Sequence, residues 1–367
     1  MTDILVDGRP LSASSATRGL ATYLRNIVGR LVVEPDLRFH GLVTDATALP
    51  DGVRSVPMRR RFTNRLNFYE QSLLLPRDID RSGADLFFSP GTDPPRRSSV
   101  PWVQTLHDVI PIAYDHPKYR GERRRWKARG RRIRAATAVI AISEYTARDG
   151  VRLLGLERDR IHVAYNGVDS SFRPAERAPE PDPPYLLYVS EYGPHKGFAE
   201  AFCVIAALAD AGLPHRLKMV GKMGPRAEMR VRSILDPTPH PERVDLLNHV
   251  SAEELRSLYQ GASLLAMTSR YEGFGLPVLE AMASGTPVVS FDNSALPEVV
   301  GSAGILVHDG DVAAFAEACR SVLASPGRRE ALAGAGLEWA ARFTWDASAA
   351  AHAEVFRSVS RPRRAGA

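Results

Sequence analysis

Short apolar runs alternate twice with helix-periodic text along this chain, and few folds accept that pattern. The first series includes "ILVDG" (4–8), "ADLFFSP" (84–90), "WVQTLHDVIP" (102–111) and "AVIAIS" (138–143). The second runs through "YLLYVSEYGPHKG" (185–197), "RLKMVGKMG" (216–224), "RVDLLNHVS" (243–251), "SLLAMTS" (263–269), "TPVVSFD" (286–292) and "AGILVHDGD" (303–311). Strands apolar on both faces belong in parallel sheets covered by helices on each side. The intervening text supplies the helices; in "SAEELRSLYQGA" (251–262) Ser251 and Glu254 form a capping-box pattern. Between the series, "SFRPAERAPEPDPP" (171–184) has the proline and charge content of a linker. The predicted fold is therefore α/β, with two Rossmann-like domains over 1–172 and 173–342. Ligand is expected in an interdomain cleft, at the carboxyl ends of the strands.

Composition narrows the function. With 44% hydrophobic and 25% charged residues, the chain reads as a soluble globular protein. No apolar run reaches the ~18 residues of a membrane span, and "MTDILVDGRP" carries acids where a signal peptide is basic and then apolar. Cys203 and Cys319 are expected to be buried free thiols, and no CxxC or HExxH spacing suggests zinc. These features point to the cytoplasm. The net charge of +6 is concentrated in "PMRRRFTNR" (57–65) and in "KYRGERRRWKARGRRIR" (118–134), which holds ten Lys or Arg. On a helix, Arg120, Arg123, Arg124, Lys127, Arg131 and Arg134 share one broad face, and Trp126, Gly130 and Ile133 another. Such a face is either simply solvated or meets an anionic partner, the lipid at the inner face of a membrane or a phosphorylated acceptor. It lacks the interleaved aromatics of a base-stacking surface, so nucleic acid is not an expected partner.

The chemistry concentrates in "SRYEGFGLPVLEAMASGTPVV" (269–289). "SLLAMTS" is a strand, so Arg270 through Leu276 form the loop at its carboxyl end. Pro277 suits the first turn of the following helix and Gly285 its stop. Gly273 and Gly275 permit a tight loop in front of a helix N-terminus, where negative charge is favoured. Glu272 stands in that loop and Glu280 lies in the helix, pointing the same way. Carboxylates accept from paired hydroxyls, so the two suit a sugar ring and a ribose.

The same segment resembles the Glu–x7–Glu signature of retaining glycosyltransferases of family 4, which have the GT-B fold. "LHDVIP" (106–111), "VIAISEYT" (139–146), "YNGVD" (165–169), "GPHKG" (193–197), "VGKMG" (220–224) and "LPEVVGSAGILV" (296–307) also resemble family landmarks, in order. "FTWDASAAAHAEVF" (343–356) resembles the terminal helix that packs back onto the first domain, so 343–367 is expected to form that helix and a tail.

The resemblance implies a nucleoside-diphosphate sugar donor bound mainly by the second domain and an acceptor bound by the first. The acceptor would be a glycan, a lipid-linked or a small molecule. By this resemblance Glu280 accepts from the ribose hydroxyls and Glu272 lies by the sugar hydroxyls. Gly273, Phe274, Gly275 and Leu276 surround the sugar and phosphates, Lys196 sits on the diphosphate with Ser190 and His195 nearby, and His107 lies at the sugar ring. Asp108 is expected to orient or to support. Gly19, in "ATRGLATYL", keeps the first glycine of a phosphate-binding loop, while Ala21 stands where a second glycine is usual. No metal or other cofactor is implied, because Lys196 and the helix N-terminus supply the positive potential. The sugars implied are mannose, glucose or a deoxyhexose such as rhamnose. A nucleotide-sugar epimerase and an inactive nucleotide-sugar-binding scaffold are the competing functions.

Overall fold

The computed structural model describes residues 1–12, 18–43, 49–57, 73–175 and 181–360. Arg59, Arg60, Arg61 and Arg65 of the first basic cluster lie outside the described residues. The chain divides into two compact units: Met1–Gly167 together with the chain from Trp345 onward, and Val168–Thr344. Asp169, Phe172 and Pro174 thus belong to the second unit.

Both units are built on parallel sheets. The first sheet contains β1 (Thr2–Asp7), β2 (Leu37–Val43), β3 (Arg54–Pro57), β4 (Leu86–Ser89), β5 (Trp102–Leu106), β6 (Ala138–Ala141) and β7 (Ile161–Val163), ordered β3-β2-β1-β4-β5-β6-β7. The second contains β8 (Tyr185–Val189), β9 (Arg216–Val220), β10 (Val244–Leu247), β11 (Leu264–Met267), β12 (Val288–Asp292) and β13 (Ile305–His308), ordered β10-β9-β8-β11-β12-β13. Each sheet grows outward in both directions from its first strand. The direction of winding reverses between β1 and β4 in one unit and between β8 and β11 in the other. Such reversals are where sheets of this class bind their ligands, at the carboxyl ends of the strands. The strands read as unbroken apolar runs because both faces are covered: Leu86, Phe87 and Phe88 are buried, as are all four residues of β11.

The C-terminal helix Trp345–Val359 completes the first unit. Trp345, Ser348, Ala349, His352, Ala353 and Phe356 are buried, at the three- and four-residue spacing of one helical face. Phe356 meets Phe88 edge-on, with ring centroids 5.0 Å apart. Asp346 accepts from Arg30 at 2.9 Å, and Arg357 reaches Asp36 and Glu34 at 2.7 and 2.6 Å. His352 Nδ1 lies 2.6 Å from the Ser348 carbonyl, to which it donates. Nε2 is then the acceptor, and the buried Tyr23 hydroxyl donates to it at 2.5 Å.

Two sequence expectations change in detail. Cys203 is exposed, facing away from the sheet on the helix Phe198–Asp210 between buried Phe202 and Val204; Cys319 is buried as expected. On the basic helix Arg120–Ile133, Trp126, Gly130 and Ile133 do face inward. Arg123, however, pairs with Asp115, and Arg134 donates to the Leu154 carbonyl at 2.5 Å, so neither is purely solvated.

Phe356→Ala removes a fully buried ring from this helix and is expected to cost about 3–5 kcal/mol of stability in the first unit. Arg357→Ala, which breaks only exposed pairs, should shift the denaturation midpoint far less. Equal shifts in the two variants would mean that surface ion pairs hold the helix.

Candidate active site

The loops after β8 and β11 are bound together by contacts that leave no room for side chains. Gly197 has φ of +64°, and a Cβ there would sit 1.8 Å from the Thr268 carbonyl oxygen. Thr268 Oγ1 donates back to the Gly197 carbonyl at 2.8 Å, and the Arg270 amide donates to the His195 carbonyl at 2.7 Å. The buried Tyr188 hydroxyl donates to the Lys196 carbonyl. Next door, a Cβ on Gly221 would lie 1.8 Å from the Ser190 carbonyl oxygen, while the Ser190 amide donates to Val220 at 2.8 Å. His195 is buried, and Lys196 emerges at the end of the short turn Pro194–Lys196.

Between these two loops Lys196 Nζ donates to both oxygens of Glu272, at 2.7 and 2.8 Å. An ammonium has three N–H donors, so one is left for another acceptor. The Glu272 backbone is itself anchored: its amide donates to Ser294 Oγ at 2.9 Å, with Ser294 at a φ of +50°. Asn293 Nδ2 bonds the Ser269 carbonyl at 3.0 Å and the Asp309 carboxylate at 2.7 Å. Arg270 adds ion pairs to Glu200 and Asp309 at 2.9 and 2.8 Å.

Gly273 and the buried Phe274 continue the loop to Gly275, whose φ of +106° suits glycine and starts the helix Leu276–Ala283. The first amides of that helix have no intrahelical partner and present positive potential. On its second turn Glu280 Oε2 accepts from the Tyr259 hydroxyl at 2.7 Å. Burial pushes the Glu280 carboxyl up to about 7; the Tyr259 hydrogen bond opposes that rise and the charge of Asp169 adds to it.

The candidate residues of the first unit lie at the ends of its own strands. His107 follows β5, stands edge-on to Tyr23 at 4.8 Å, and lies with Nε2 2.7 Å from the Pro90 carbonyl. A carbonyl only accepts, so Nε2 carries the proton and Nδ1 is an acceptor. Burial pushes this imidazole down to about 4, so it is neutral at physiological pH. Asp108 Oδ1 accepts from the Ile110 amide at 3.0 Å, a supporting contact. Gly19 is exposed in the first turn of the helix Arg18–Leu31, with open space where a Cβ would go. Residues 13–17, which precede it, lie outside the described residues.

Within the second unit, then, the structure brings Lys196 and Glu272 together. His107 and Gly19 belong to the first unit. Sequence reasoning passed over Tyr259, Tyr188, Asn293 and Ser294. The tyrosines sit in apolar text where a phenol looks like any other core residue, and the serine's positive φ has no sequence mark.

Known proteins share this organisation. The "Glycosyltransferase Family 4" description matches residues 18–172, and "Glycosyl transferases group 1" matches 169–339. A D-inositol 3-phosphate glycosyltransferase of Xylanimonas cellulosilytica is 31% identical over 295 residues, 73% of this chain and 69% of that protein. The O-antigen chain mannosyltransferase B of Escherichia coli is 28% identical over 260 residues, 66% of this chain and 67% of its own. Among solved structures, sucrose-phosphate synthase from Thermosynechococcus elongatus superposes with a TM-score of 0.79 at 20% identity, covering 98% of this chain and 99% of its own. HepE from Anabaena, in complex with UDP and glucose, gives 0.73 at 18% identity, covering 98% and 100%. The chain belongs to glycosyltransferase family 4 and has the GT-B fold of two Rossmann-like domains.

The raised pKa of Glu280 has a stability consequence. A carboxyl that titrates higher in the folded state than in the unfolded chain favours folding below the unfolded pKa, and that advantage is lost as pH rises through the folded value. Between roughly pH 4.5 and 7 the wild type should therefore lose stability relative to Glu280→Gln, on the order of 1–3 kcal/mol for a partly exposed group. Melting temperatures of the two proteins across this range test it. Parallel curves would show that Glu280 is ionised without cost.

Proposed function

We propose that the chain is a retaining hexosyltransferase. It moves mannose, glucose or a deoxyhexose such as rhamnose from a nucleoside-diphosphate sugar to a hydroxyl of a glycan, lipid-linked or small-molecule acceptor. The observation that carries this reading is the Lys196–Glu272 contact between the loops after β8 and β11, with the Glu280 carboxylate on the adjoining helix. The third Nζ donor of Lys196 takes a diphosphate oxygen, so one ammonium ties the sugar-side carboxylate to the leaving group. Glu280 accepts from the ribose hydroxyls. The first amides of the helix Leu276–Ala283, with Gly273, Phe274 and Gly275, surround the phosphates and sugar, beside Ser190 and His195. His107, proton-bearing only at Nε2, accepts from a sugar hydroxyl through Nδ1. For Gly19 the proposed role is the phosphate-binding one that the family resemblance implies. The relatives support the donor class: one is a mannosyltransferase, and HepE was solved with UDP and glucose.

The bond from the anomeric carbon to the diphosphate breaks with its electron pair passing to the phosphate oxygen. Lys196 and the helix N-terminus stabilise that charge, so neither a metal nor another cofactor is needed. The acceptor hydroxyl bonds to the anomeric carbon on the face the phosphate left, and its proton passes to the departing oxygen, with configuration retained. Glu272 as a covalent nucleophile is disfavoured, because an ammonium on both of its oxygens draws away the electron density that attack would use.

A peripheral membrane contact fits the helix Arg120–Ile133. Arg124, Lys127 and Arg131 recur on one exposed face without an ion pair among the described residues. Anionic headgroups would meet that face, with the protein on the cytoplasmic side.

Lys196→Ala should lower kcat more than it raises the donor KM, since phosphate charge grows toward the transition state. A KM effect alone would remove Lys196 from leaving-group stabilisation. Activity should persist in EDTA, and NMR of the product should show the donor's anomeric configuration; inversion or a strict metal requirement would overturn the mechanism. Epimerised donor formed without acceptor would favour the epimerase. Binding to anionic vesicles should weaken steeply with salt, and no binding at low salt would leave the basic helix simply solvated.

A further inference from the structure

Tyr259 stands behind Glu280 and is held from three sides. Its ring is fully buried and packs edge-on against Phe172, with centroids 5.6 Å apart. Its carbonyl accepts from Thr286 Oγ1 at 2.5 Å, and the Thr286 amide donates to the Ala281 carbonyl at 2.9 Å. Thr286 therefore clamps the helix Ala252–Gly261, which carries Tyr259, to the helix Leu276–Ala283, which carries Glu280. Burial raises the phenol pKa well above its ordinary value, so Tyr259 is a fixed donor and never a competing anion.

We propose that Tyr259 is a positioning residue for donor binding, its hydroxyl fixing Glu280 Oε2 and holding the carboxyl ionised so that Oε1 accepts from the ribose diol. Glu280 Oε1 has no hydrogen-bond partner among the described residues, as this role requires. The groups that act on the Glu280 charge are Tyr259, from its helix, and Asp169, from the segment that opens the second unit. Asp169 and burial favour the protonated acid. The phenol is the group that opposes them, and a neutral acid accepts a hydroxyl's hydrogen bond more weakly than a carboxylate does. The inference rests on the ribose role assigned to Glu280 above.

Tyr259→Phe deletes the hydroxyl while keeping the ring against Phe172 and the backbone bond from Thr286. Isothermal titration with UDP, GDP, ADP and dTDP identifies a nucleoside diphosphate that binds, and its affinity is then followed from pH 6 to 9. In the wild type the affinity should fall as pH drops through about 7, where Glu280 gains its proton. In Tyr259→Phe the midpoint should move up by about one unit, giving on the order of tenfold weaker binding near pH 7. The two proteins should converge by pH 9, and the donor KM should rise more than kcat falls. Coincident profiles overturn the proposal, and so does a loss that is the same at every pH, which is the mark of damaged packing. Glu280→Gln separates the two claims. If it binds the nucleoside diphosphate as tightly as the wild type, the ribose assignment itself fails. If it binds weakly and without pH dependence while Tyr259→Phe tracks the wild type, only the role of Tyr259 fails.

Discussion

The geometry of the second unit depends on one steric constraint: the loops after β8 and β11 touch backbone to backbone. Gly197 makes this possible twice over, through its positive φ and through the missing Cβ that would otherwise overlap Thr268. Lys196 is its immediate neighbour, so the position of the ammonium is a by-product of that contact. Any side chain at 197 would push the two loops apart and with them the partners of the Lys196–Glu272 pair. Gly221 does the same for Ser190 on the other side of β8.

Two glutamates from one short segment then acquire opposite characters from their surroundings. Glu272 faces an ammonium that satisfies both oxygens. Glu280 faces apolar packing, which drives its pKa upward, and a phenol whose hydrogen bond opposes that rise. The difference arises from neighbours contributed by other elements, Lys196 from the loop after β8 and Tyr259 from the helix before β11. The residue type is the same, and the environment divides the labour.

Much of this was legible in the amino-acid text. Strands such as "SLLAMTS" announce themselves because a doubly covered parallel sheet tolerates no alternation, and the Ser251–Glu254 capping box forms as the spacing predicts. Pro277 and Gly285 mark the ends of the helix that bears Glu280, and Gly285 has the positive φ, +77°, expected of a helix stop. What could not be read were pairings across long sequence separations. Nothing local in "LRSLYQGA" tells that the tyrosine will meet a carboxylate 21 residues later. Likewise "GPHKG" does not say that its lysine will end on Glu272, 76 residues away. The exposure of Cys203 escaped for a related reason: an alanine-rich helix is apolar on several sides, so its inward face is poorly marked.

The closing helix Trp345–Val359 makes the first unit discontinuous in sequence, with the whole second unit inserted between its two parts. On the ribosome, domains generally form in the order in which they emerge. Here that order is inverted. When residue 167 leaves the exit tunnel, the surface around Tyr23, Phe39 and Phe88 still lacks the partners that His352 and Phe356 provide. The second unit has all of its strands as soon as residue 344 is out, so it can close while the first waits with an uncovered apolar face. Synthesis of this protein therefore includes an interval in which the apolar face later covered by the helix Trp345–Val359 stands open to solvent, the kind of transiently exposed surface that favours association between chains.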